Sequence, residues 1–387
     1  TIEAGPWAFL MVLLIAATHL IFGNINWSSL HGYYRRRLSS AFILRRGREG
    51  EEPVHPRESQ ELRLSELGER GPYHLINAAV NLPACNEIDL RGRKSDFFLL
   101  SRFFCGSPSL GYCPTDELEK RDPELDLGTA MAISGAAASP HMGVKELRGL
   151  SFWLALFNIR LSYWIPNPKK SASGWHRLRP GVSYVLRELT GSLHDKGPYV
   201  NVSDGGHIEN LGLYELLRRR CRFIVAIDGE ADPEMRFDGL MRVMRYATID
   251  LGVDLEVDLG DLAKNEAGLS RGHYCLGKIR YPAPSAAAPR PEGLLLYIKL
   301  SVTGNEPAHV LDYGARHPSF PHQTTADQLF DESQFEAYRA LGEHLGDDLL
   351  RPELLGPGWG ETRSGVREWF RALERSLVED EAKVGMS

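Results

Sequence analysis

The sequence predicts a mixed α/β fold with a largely parallel central sheet. Its composition is that of a folded globular chain, with 43% hydrophobic residues, 25% charged residues and a formal net charge of −6. Residues 199–228 contain four patterns in order: a short β-branched run, a glycine-containing loop, an amphipathic stretch and a second β-branched run. The order strand, loop, helix, strand favours a parallel sheet covered by helices.

Composition also excludes several classes of protein. The values disfavour a disordered chain, a collagen, a coiled coil and a small disulfide scaffold. The mild acidity predicts no nucleic-acid partner. Five cysteines at scattered spacings indicate reduced thiols in a cytosolic environment, and they form no zinc motif. We therefore expect neither a metal nor a cofactor. The cysteines are Cys85, Cys105, Cys113, Cys221 and Cys275.

An apolar segment near the start of the sequence predicts a membrane helix. Trp7–Phe22 (WAFLMVLLIAATHLIF) contains only Thr18 and His19 as polar residues. A bilayer span needs about 20 apolar residues, with a lower limit near 17, so the stretch spans only with its uncharged neighbours and further residues upstream. Arg35–Arg37 follow and favour the cytoplasmic side. The prediction is a transmembrane or membrane-associated helix, with a buried core helix or an interfacial helix as the alternative.

Five segments follow in the first half of the chain. Residues 44–71 form a charged linker, and His74–Leu82 and Phe97–Leu100 are strand-like. Gly128–Gly143 is rich in alanine and glycine, which predicts a tightly packed loop or helix. Ser151–Trp164 is apolar, which predicts a buried helix or a hydrophobic surface near lipid.

The second half alternates strand and helix patterns. A strand at Tyr199–Val202 leads into a helix at Ile208–Arg220, and Arg222–Asp228 reads as a buried strand. Leu294–Val302 is a further strand. A capping box at Thr325 predicts a helix from there to Leu345. Thr362–Glu381 predicts a charged amphipathic helix.

The chemistry of the chain is suggested by one string, which begins at Asp204. An aspartate that ends a strand lies at the carboxyl edge of a sheet, where α/β enzymes place their sites. Gly205 and Gly206 allow close backbone approach, and a carboxylate there can orient or deprotonate a nucleophilic hydroxyl. The alternative is that Asp204 caps the following helix in a tight glycine turn.

The string resembles a known family. Asp204-Gly205-Gly206 is similar to the Asp-Gly-Gly motif of patatin-like phospholipases, which are related to cytosolic phospholipase A2, and DGGHIENLGLYELLRRRC resembles a bacterial, membrane-associated branch. The resemblance covers most of the chain from about Asn24 to His344. Four other segments look like the same branch: NINWSSLHGYYRRRL (24–38), LGTAMAISGAAASPHMG (127–143), LFNIRLSYW (156–164) and FPHQTTADQLFDESQFEAYRALGEH (320–344).

The resemblance implies a fold and a reaction. The fold would be a three-layer α/β/α sandwich with a mostly parallel central sheet, preceded by the membrane helix. The reaction would be hydrolysis of carboxylic esters of phospholipids or acylglycerols by a Ser-Asp dyad, with Asp204 as the base. The family's serine stands in a GxSxG elbow, and a glycine-rich loop supplies its oxyanion hole. The 387 residues contain neither motif, and they begin with Thr1. We therefore expect the C-terminal portion of a longer protein, with the serine before Thr1.

The predicted organisation has four parts. Residues 1–43 are the membrane helix with a basic juxtamembrane segment, and 44–71 are the linker. Residues 72–345 are the patatin-like domain, and 346–387 are an amphipathic helical tail. The expected partners are a lipid substrate and the membrane, with the catalytic domain on the cytoplasmic side. Two alternatives remain: a non-catalytic, membrane-anchored interaction module, and a soluble hydrolase that uses Ser134.

Further polar residues carry weaker predictions. Ser134 is the in-chain alternative nucleophile, but no glycine stands two positions before it, so a structural role is favoured. His207 could join a triad, yet it and Glu209 stand in the turn after Asp204, which favours a first-turn polar role or helix capping. Asn210 is expected to hold the loop by side-chain hydrogen bonds.

Two groups of acidic and histidine residues are expected to be structural. Asp228 and Asp232 could pair on a metal, although a solvated turn is favoured because no other ligand shares their spacing. Capping and surface ion pairs explain a second group near a helix start. Its members are His317, His322, Asp327, Asp331 and Glu332.

Overall fold

A computed structural model gives the fold. It describes residues 24–43, 62–68, 71–85, 92–136, 161–170, 180–324, 330–356 and 365–384, with positions 11 and 327. The chain divides into two compact units, Thr1–Ile208 (unit 1) and Glu209–Ser387 (unit 2), and this boundary falls inside the predicted domain 72–345. Among the described residues, no helix has the length and apolarity to cross a membrane. The predicted membrane segment 7–22 lies outside the described residues except for Met11, as does most of the linker 44–71.

Unit 1 is built on a six-stranded sheet. Its strand order is β4-β3-β2-β1-β6-β5, and every neighbouring pair is antiparallel. In chain order the described elements are α1 (His31–Phe42), β1 (Leu75–Asn81), β2 (Ser95–Ser101), β3 (Phe104–Ser107), β4 (Gly111–Pro114), α2 (Thr115–Arg121), α3 (Leu127–Ser134), β5 (Tyr163–Pro166), α4 (Val182–Thr190) and β6 (Tyr199–Asp204).

Unit 2 contains a four-stranded sheet with helices on both faces. Its order is β7-β10-β9-β8, in which β7 and β10 are parallel and the other pairs antiparallel. The elements are α5 (Leu213–Arg218), β7 (Phe223–Asp228), α6 (Asp238–Tyr246), β8 (Asp254–Val257), β9 (Tyr274–Arg280), β10 (Glu292–Lys299), α7 (Ala308–Arg316), α8 (Glu332–Leu349), α9 (Pro352–Leu355) and α10 (Gly365–Val384).

The two faces of the unit 2 sheet are visible in strand β10. Leu295 and Tyr297 pack into the core formed with α5 and α6, whereas Leu296 and Ile298 pack into the core formed with α7, α8 and α10. Alternate residues of a strand point to opposite faces, so a sheet buried on both sides reads as a continuous apolar run. That run is the LLLYI segment of β10.

The mixed α/β class is confirmed, but the prediction of a mostly parallel sheet is wrong for unit 1. β6 pairs with β1, and β7 pairs with β10, so the strand-loop-helix-strand segment 199–228 feeds two separate sheets. It is therefore no βαβ unit. In unit 1, β1 and β2 follow each other in the chain and pair antiparallel, with Asn81 opposite Ser95.

Most predicted elements exist, with changed limits. The strands predicted at His74–Leu82, Phe97–Leu100 and Leu294–Val302 are confirmed as β1, β2 and β10, and the C-terminal helix is α10. The alanine- and glycine-rich segment forms α3 up to Ser134, and residues 137–143 lie outside the described part. Of Ser151–Trp164, only the last four residues are described, and Tyr163 and Trp164 lie in a strand rather than a helix.

Three predictions about single elements were wrong, two in their limits and one in burial. The helix predicted at Ile208–Arg220 covers only α5, because Gly212 takes a left-handed conformation (φ +65°) just before it. The strand 222–228 is buried on one face alone, since Ile227 is 69% exposed. The helix predicted from Thr325 begins at Glu332, because the Asp331 carboxylate caps it by accepting the Gln334 N–H at 2.7 Å.

Candidate active site at the Asp-Gly-Gly loop

Asp204 is the last residue of β6, as predicted, and it lies opposite Ala78 of β1. The preceding residues of β6 are buried, whereas Asp204 is half-buried. Its Oδ1 accepts a hydrogen bond from the Gly206 N–H at 2.8 Å. The capping interaction weighed as the alternative is thus present, on the short 3₁₀ turn Gly205–His207. This bond fixes the carboxylate at the end of the strand.

Gly205 lies against the backbone of β1. A Cβ atom added there would be 2.9 Å from the Asn77 carbonyl oxygen, closer than real Cβ contacts come. The same carbonyl oxygen accepts the Ser134 hydroxyl at 2.7 Å. The Asn77 carbonyl therefore lies beside both Gly205 and the end of α3, and the Ser134 hydroxyl is directed at it.

Tyr34 adds a phenol to the site. Burial raises the pKa of Tyr34, and the negative charge of Asp204 raises that pKa further. A Cβ atom added to Gly135 would lie 2.8 Å from the Tyr34 Oη, so the phenol reaches the residue next to Ser134. Sequence reasoning missed Tyr34, although it stands inside the segment 24–38 that carries the family resemblance.

His207 belongs to a buried polar network. Its Nδ1 lies 2.9 Å from the Ser203 Oγ, which also accepts the Asn81 amide at 3.0 Å. The same amide lies 2.8 Å from the Asn201 Oδ1. Asn201 in turn donates to Glu188 at 3.0 Å. The network joins neighbouring strands β1 and β6 to α4, so His207 anchors the loop from the protein interior.

Glu209 and Asn210, which follow the Asp-Gly-Gly loop in sequence, form their hydrogen bonds within unit 2. Asn210 donates to the Glu230 carboxylate, at an exposed position. The buried Glu209 carboxylate accepts the N–H groups of Leu211 and Leu213 just before α5, which confirms the capping role expected of it. Burial raises the pKa of Glu209 to about 7.

Asp228 was wrongly expected in a solvated turn. It is 1% exposed, its Oδ1 accepts the Lys299 Nζ at 3.0 Å, and its Oδ2 accepts the Tyr297 hydroxyl. Lys299 and Asp228 face each other at the C-terminal ends of the parallel strands β10 and β7. Asp232 does lie in a turn, where it accepts the N–H groups of Arg236 and Phe237.

The polar residues near α8 are partly as expected. Asp331 caps the helix, and Asp327 accepts the Gln334 side-chain amide at 3.0 Å. His317 stacks on Tyr313, with ring centroids 4.2 Å apart. His322 is buried, which the surface interpretation did not foresee. Burial lowers its pKa to about 4, and the positive charges of Lys264 and Lys299 act in the same direction.

No model of a known protein family matches the chain, and no curated protein matches its sequence. The geometry of the Asp-Gly-Gly loop is therefore the basis for assigning chemistry. It presents a half-buried carboxylate at a strand end, held by a backbone N–H and near a phenol.

Proposed function

We propose that the protein is a membrane-associated lipid acyl hydrolase that cleaves carboxylic esters, with Asp204 as the general base. The observation that carries the proposal is the fixed position of this carboxylate at the end of β6, where the Gly206 N–H binds one of its oxygens. A carboxylate oxygen can accept more than one hydrogen bond. Such a group can take a proton from a hydroxyl nucleophile without first reorganising.

The reaction needs a serine that these 387 residues do not encode in a GxSxG elbow. The proposal places that serine, and the glycine-rich oxyanion loop, in sequence N-terminal to Thr1. Asp204 accepts the serine proton while the serine oxygen attacks the ester carbonyl carbon. The tetrahedral intermediate then expels the alcohol, which takes the proton. Water, deprotonated by Asp204, cleaves the acyl-enzyme to release the fatty acid and restore the serine.

Residues around Asp204 support this role. Gly205 brings the loop against the Asn77 carbonyl, a position that a larger residue would prevent. The network from Ser203 and His207 to Glu188 holds β6 in place. The site therefore depends on backbone and buried amides, which are more rigid than a surface loop.

The lipid substrate follows from the N-terminal part of the chain. We infer that the uncharged segment 7–22 associates with a membrane and that the site faces the cytoplasmic side. Arg36 and Arg37 are exposed on α1 and suit anionic headgroups, each worth about 1 kcal/mol near such a surface. Arg35 has a different role, because it pairs with Asp126 at the start of α3.

The test uses the full-length polypeptide, including all residues encoded before Thr1. Asp204→Asn keeps an oxygen that accepts the Gly206 N–H, so it removes the base and preserves the loop. We expect kcat for a chromogenic carboxylic ester to fall by about 10²–10⁴-fold, with little change in KM. Asp116→Asn is the matched control, because Asp116 is an exposed acid that pairs with Lys120 at the surface of the same unit.

Two outcomes would overturn the proposal. One is turnover by Asp204→Asn at the wild-type rate. The other is a folded wild-type protein without esterase activity and without a fluorophosphonate adduct, which would favour a non-catalytic interaction module. Thermal unfolding of both variants distinguishes loss of the base from loss of the fold.

A further inference from the structure

Three residues of unit 2 bring metal-binding atoms together. His273 stands directly before β9, Glu306 lies between β10 and α7, and His344 is on α8. One ligand atom from each lies within 4.8 Å of the other two. His273 and Glu306 are buried and His344 is half-buried. Because 33 and 38 residues separate them in sequence, no local motif announces the group.

Both ring nitrogens of His273 lie near hydroxyl groups. The Ser301 hydroxyl donates to the backbone carbonyl of Gly272 at 3.1 Å, so its oxygen can accept from the His273 Nδ1 at 3.0 Å. In that tautomer Nε2 carries the lone pair and faces the Thr303 hydroxyl at 3.3 Å, and this hydroxyl can donate to the Asn305 Oδ1 at 2.7 Å when a metal takes the lone pair. That Nε2 lies 3.8 Å from the Glu306 Oε1. A lone pair and a carboxylate oxygen directed at one space are complementary to a cation between them.

Glu306 is held so that it can be that cation's second ligand. Its two oxygens accept the backbone N–H groups of Thr303 and Gly304 at 2.6 and 2.8 Å. Oε1 also accepts the Thr303 hydroxyl at 3.2 Å, whereas Oε2 accepts the Gly304 N–H and keeps a lone pair for a metal. Among the described residues, His273 is the one group within ion-pair distance of this buried carboxylate, and a buried charge requires a partner.

His344 completes the set. Its Nε2 lies 2.9 Å from the Asn305 Oδ1, an acceptor, and in the tautomer that donates this hydrogen bond Nδ1 carries the lone pair. Its ring stands perpendicular to that of His273, with centroids 5.7 Å apart. Outer hydrogen bonds of this kind orient histidine ligands in metal sites.

We propose that His273, Glu306 and His344 form a Zn²⁺ site with an open fourth position. Two imidazoles and a carboxylate are a ligand set of catalytic zinc, whose fourth ligand is water or substrate. Ligands about 2.0–2.2 Å from a tetrahedral metal lie about 3.3–3.6 Å apart, so binding requires the group to contract by up to about 1.5 Å. A cavity of about 440 Å³ adjoins the group, since its lining includes His273, Thr303 and Asn305.

The test is metal titration of the chelator-treated full chain. We expect one equivalent of Zn²⁺ to bind and raise the unfolding temperature, with excess Mg²⁺ unable to compete, and Co²⁺ to give the visible bands of a four-coordinate ion. His344→Ala, on the half-buried face of α8, should weaken Zn²⁺ binding by more than 100-fold. Ser301→Ala should weaken it by about 10–100-fold, the cost of losing an outer-shell partner. The matched control is His309→Ala, an exposed histidine of α7 that should leave binding unchanged.

The proposal is independent of ester hydrolysis by Asp204. It is overturned if wild-type protein binds no stoichiometric Zn²⁺, or if His344→Ala and His309→Ala bind it equally well. Six-coordinate Co²⁺ spectra would also overturn it. Should Glu306→Gln or His273→Ala fail to fold, the surface variant His344→Ala still decides the question.

Discussion

The Ser134 hydroxyl donates a hydrogen bond to the Asn77 carbonyl oxygen, 2.7 Å away. This bond ties the end of α3 to strand β1 at the point where Gly205 also approaches. Activation of a serine nucleophile requires a base as the acceptor of its proton, and here the acceptor is a backbone carbonyl. The contact favours a structural role for Ser134, the in-chain alternative nucleophile.

Ser134→Ala should therefore lower stability and spare activity. Loss of the hydrogen bond is expected to reduce the free energy of unfolding by about 1 kcal/mol, measured by urea denaturation. Fluorophosphonate labelling of the full-length protein should be unchanged. Ser40→Ala is the control, because its exposed hydroxyl donates to the Arg37 carbonyl and should contribute little. Loss of labelling in Ser134→Ala alone would make Ser134 the nucleophile after all.

Gly205→Ala should disrupt the loop. The new methyl group would be 2.9 Å from a backbone oxygen, which cannot move aside as a flexible side chain can. We expect a loss of about 1–3 kcal/mol in the free energy of unfolding, as in other overpacked sites, and lower esterase activity.

The control for Gly205 is Gly32→Ala, in the same unit. Gly32 lies within α1, and its nearest neighbour would be the Arg36 Nη1 at 4.0 Å. Gly32 is the second residue of the helix, where alanine fits the helical backbone, so this variant should not lose stability. Equal effects of the two substitutions would contradict the close approach at Asn77.

Lys299→Met should be the most damaging single change considered. Lys299 and Asp228 are 0% and 1% exposed, and the substitution leaves a buried carboxylate without its cation. The expected loss is about 3–5 kcal/mol in the free energy of unfolding. The double variant Lys299→Met, Asp228→Asn should recover part of it, because no buried charge remains.

Lys120→Met is the matched control, since Lys120 and Asp116 form an exposed pair. Such pairs contribute about 0–1 kcal/mol, so this variant should be nearly as stable as wild type. Similar losses in Lys120→Met and Lys299→Met, measured by urea denaturation, would show that burial does not govern the Asp228 pair.

Local patterns predicted the elements well but not their partners. Apolar runs identified β1, β2 and β10, because the hydrophobic effect acts on any such run regardless of the fold. The direction of pairing was wrong for β6, whose partner β1 lies more than 100 residues earlier. A strand pattern encodes which faces are apolar, and nothing in residues 199–228 specifies which distant strand will supply the hydrogen bonds.

The candidate site shows the same division. Asp204 and Gly205 were predictable because a strand end and its glycines are contiguous in sequence. Asn77 and Tyr34 were not, since only the fold brings them to the loop. Lys299 did leave a signal: a lysine that ends an apolar strand is either exposed or paired, and here it is paired with Asp228.

His322 should make the protein acid-labile. Burial lowers its pKa to about 4, so the folded state keeps it neutral while the unfolded state binds a proton below about pH 6.5. Its contribution is therefore present above pH 6.5 and is lost as the pH falls towards 4. Between pH 7 and 4.5, the free energy of unfolding of wild type should fall by roughly 2–3 kcal/mol more than that of His322→Asn, at about 1.4 kcal/mol per pKa unit.

The asparagine oxygen can still accept the Asp232 N–H that the His322 Nδ1 accepts. The exposed His309→Asn serves as control and should follow the wild-type pH profile. Parallel profiles for wild type and His322→Asn would show that His322 does not titrate abnormally.

Glu209 should change the pH dependence of stability in the direction opposite to His322. Burial raises its pKa to about 7, so between pH 4.5 and 7 the folded state binds a proton that the unfolded state lacks. Its contribution is complete below pH 4.5 and is lost as the pH rises through 7. From pH 5 to pH 8, the free energy of unfolding of wild type should fall by roughly 2–3 kcal/mol relative to that of Glu209→Gln. The glutamine oxygen of this variant can still accept the Leu211 N–H. The exposed Glu266→Gln is the control. Urea denaturation measures the difference in the free energy of unfolding between wild type and Glu209→Gln at each pH. If this difference is the same at pH 5 and pH 8, the N–H donors before α5 outweigh burial and keep Glu209 ionised.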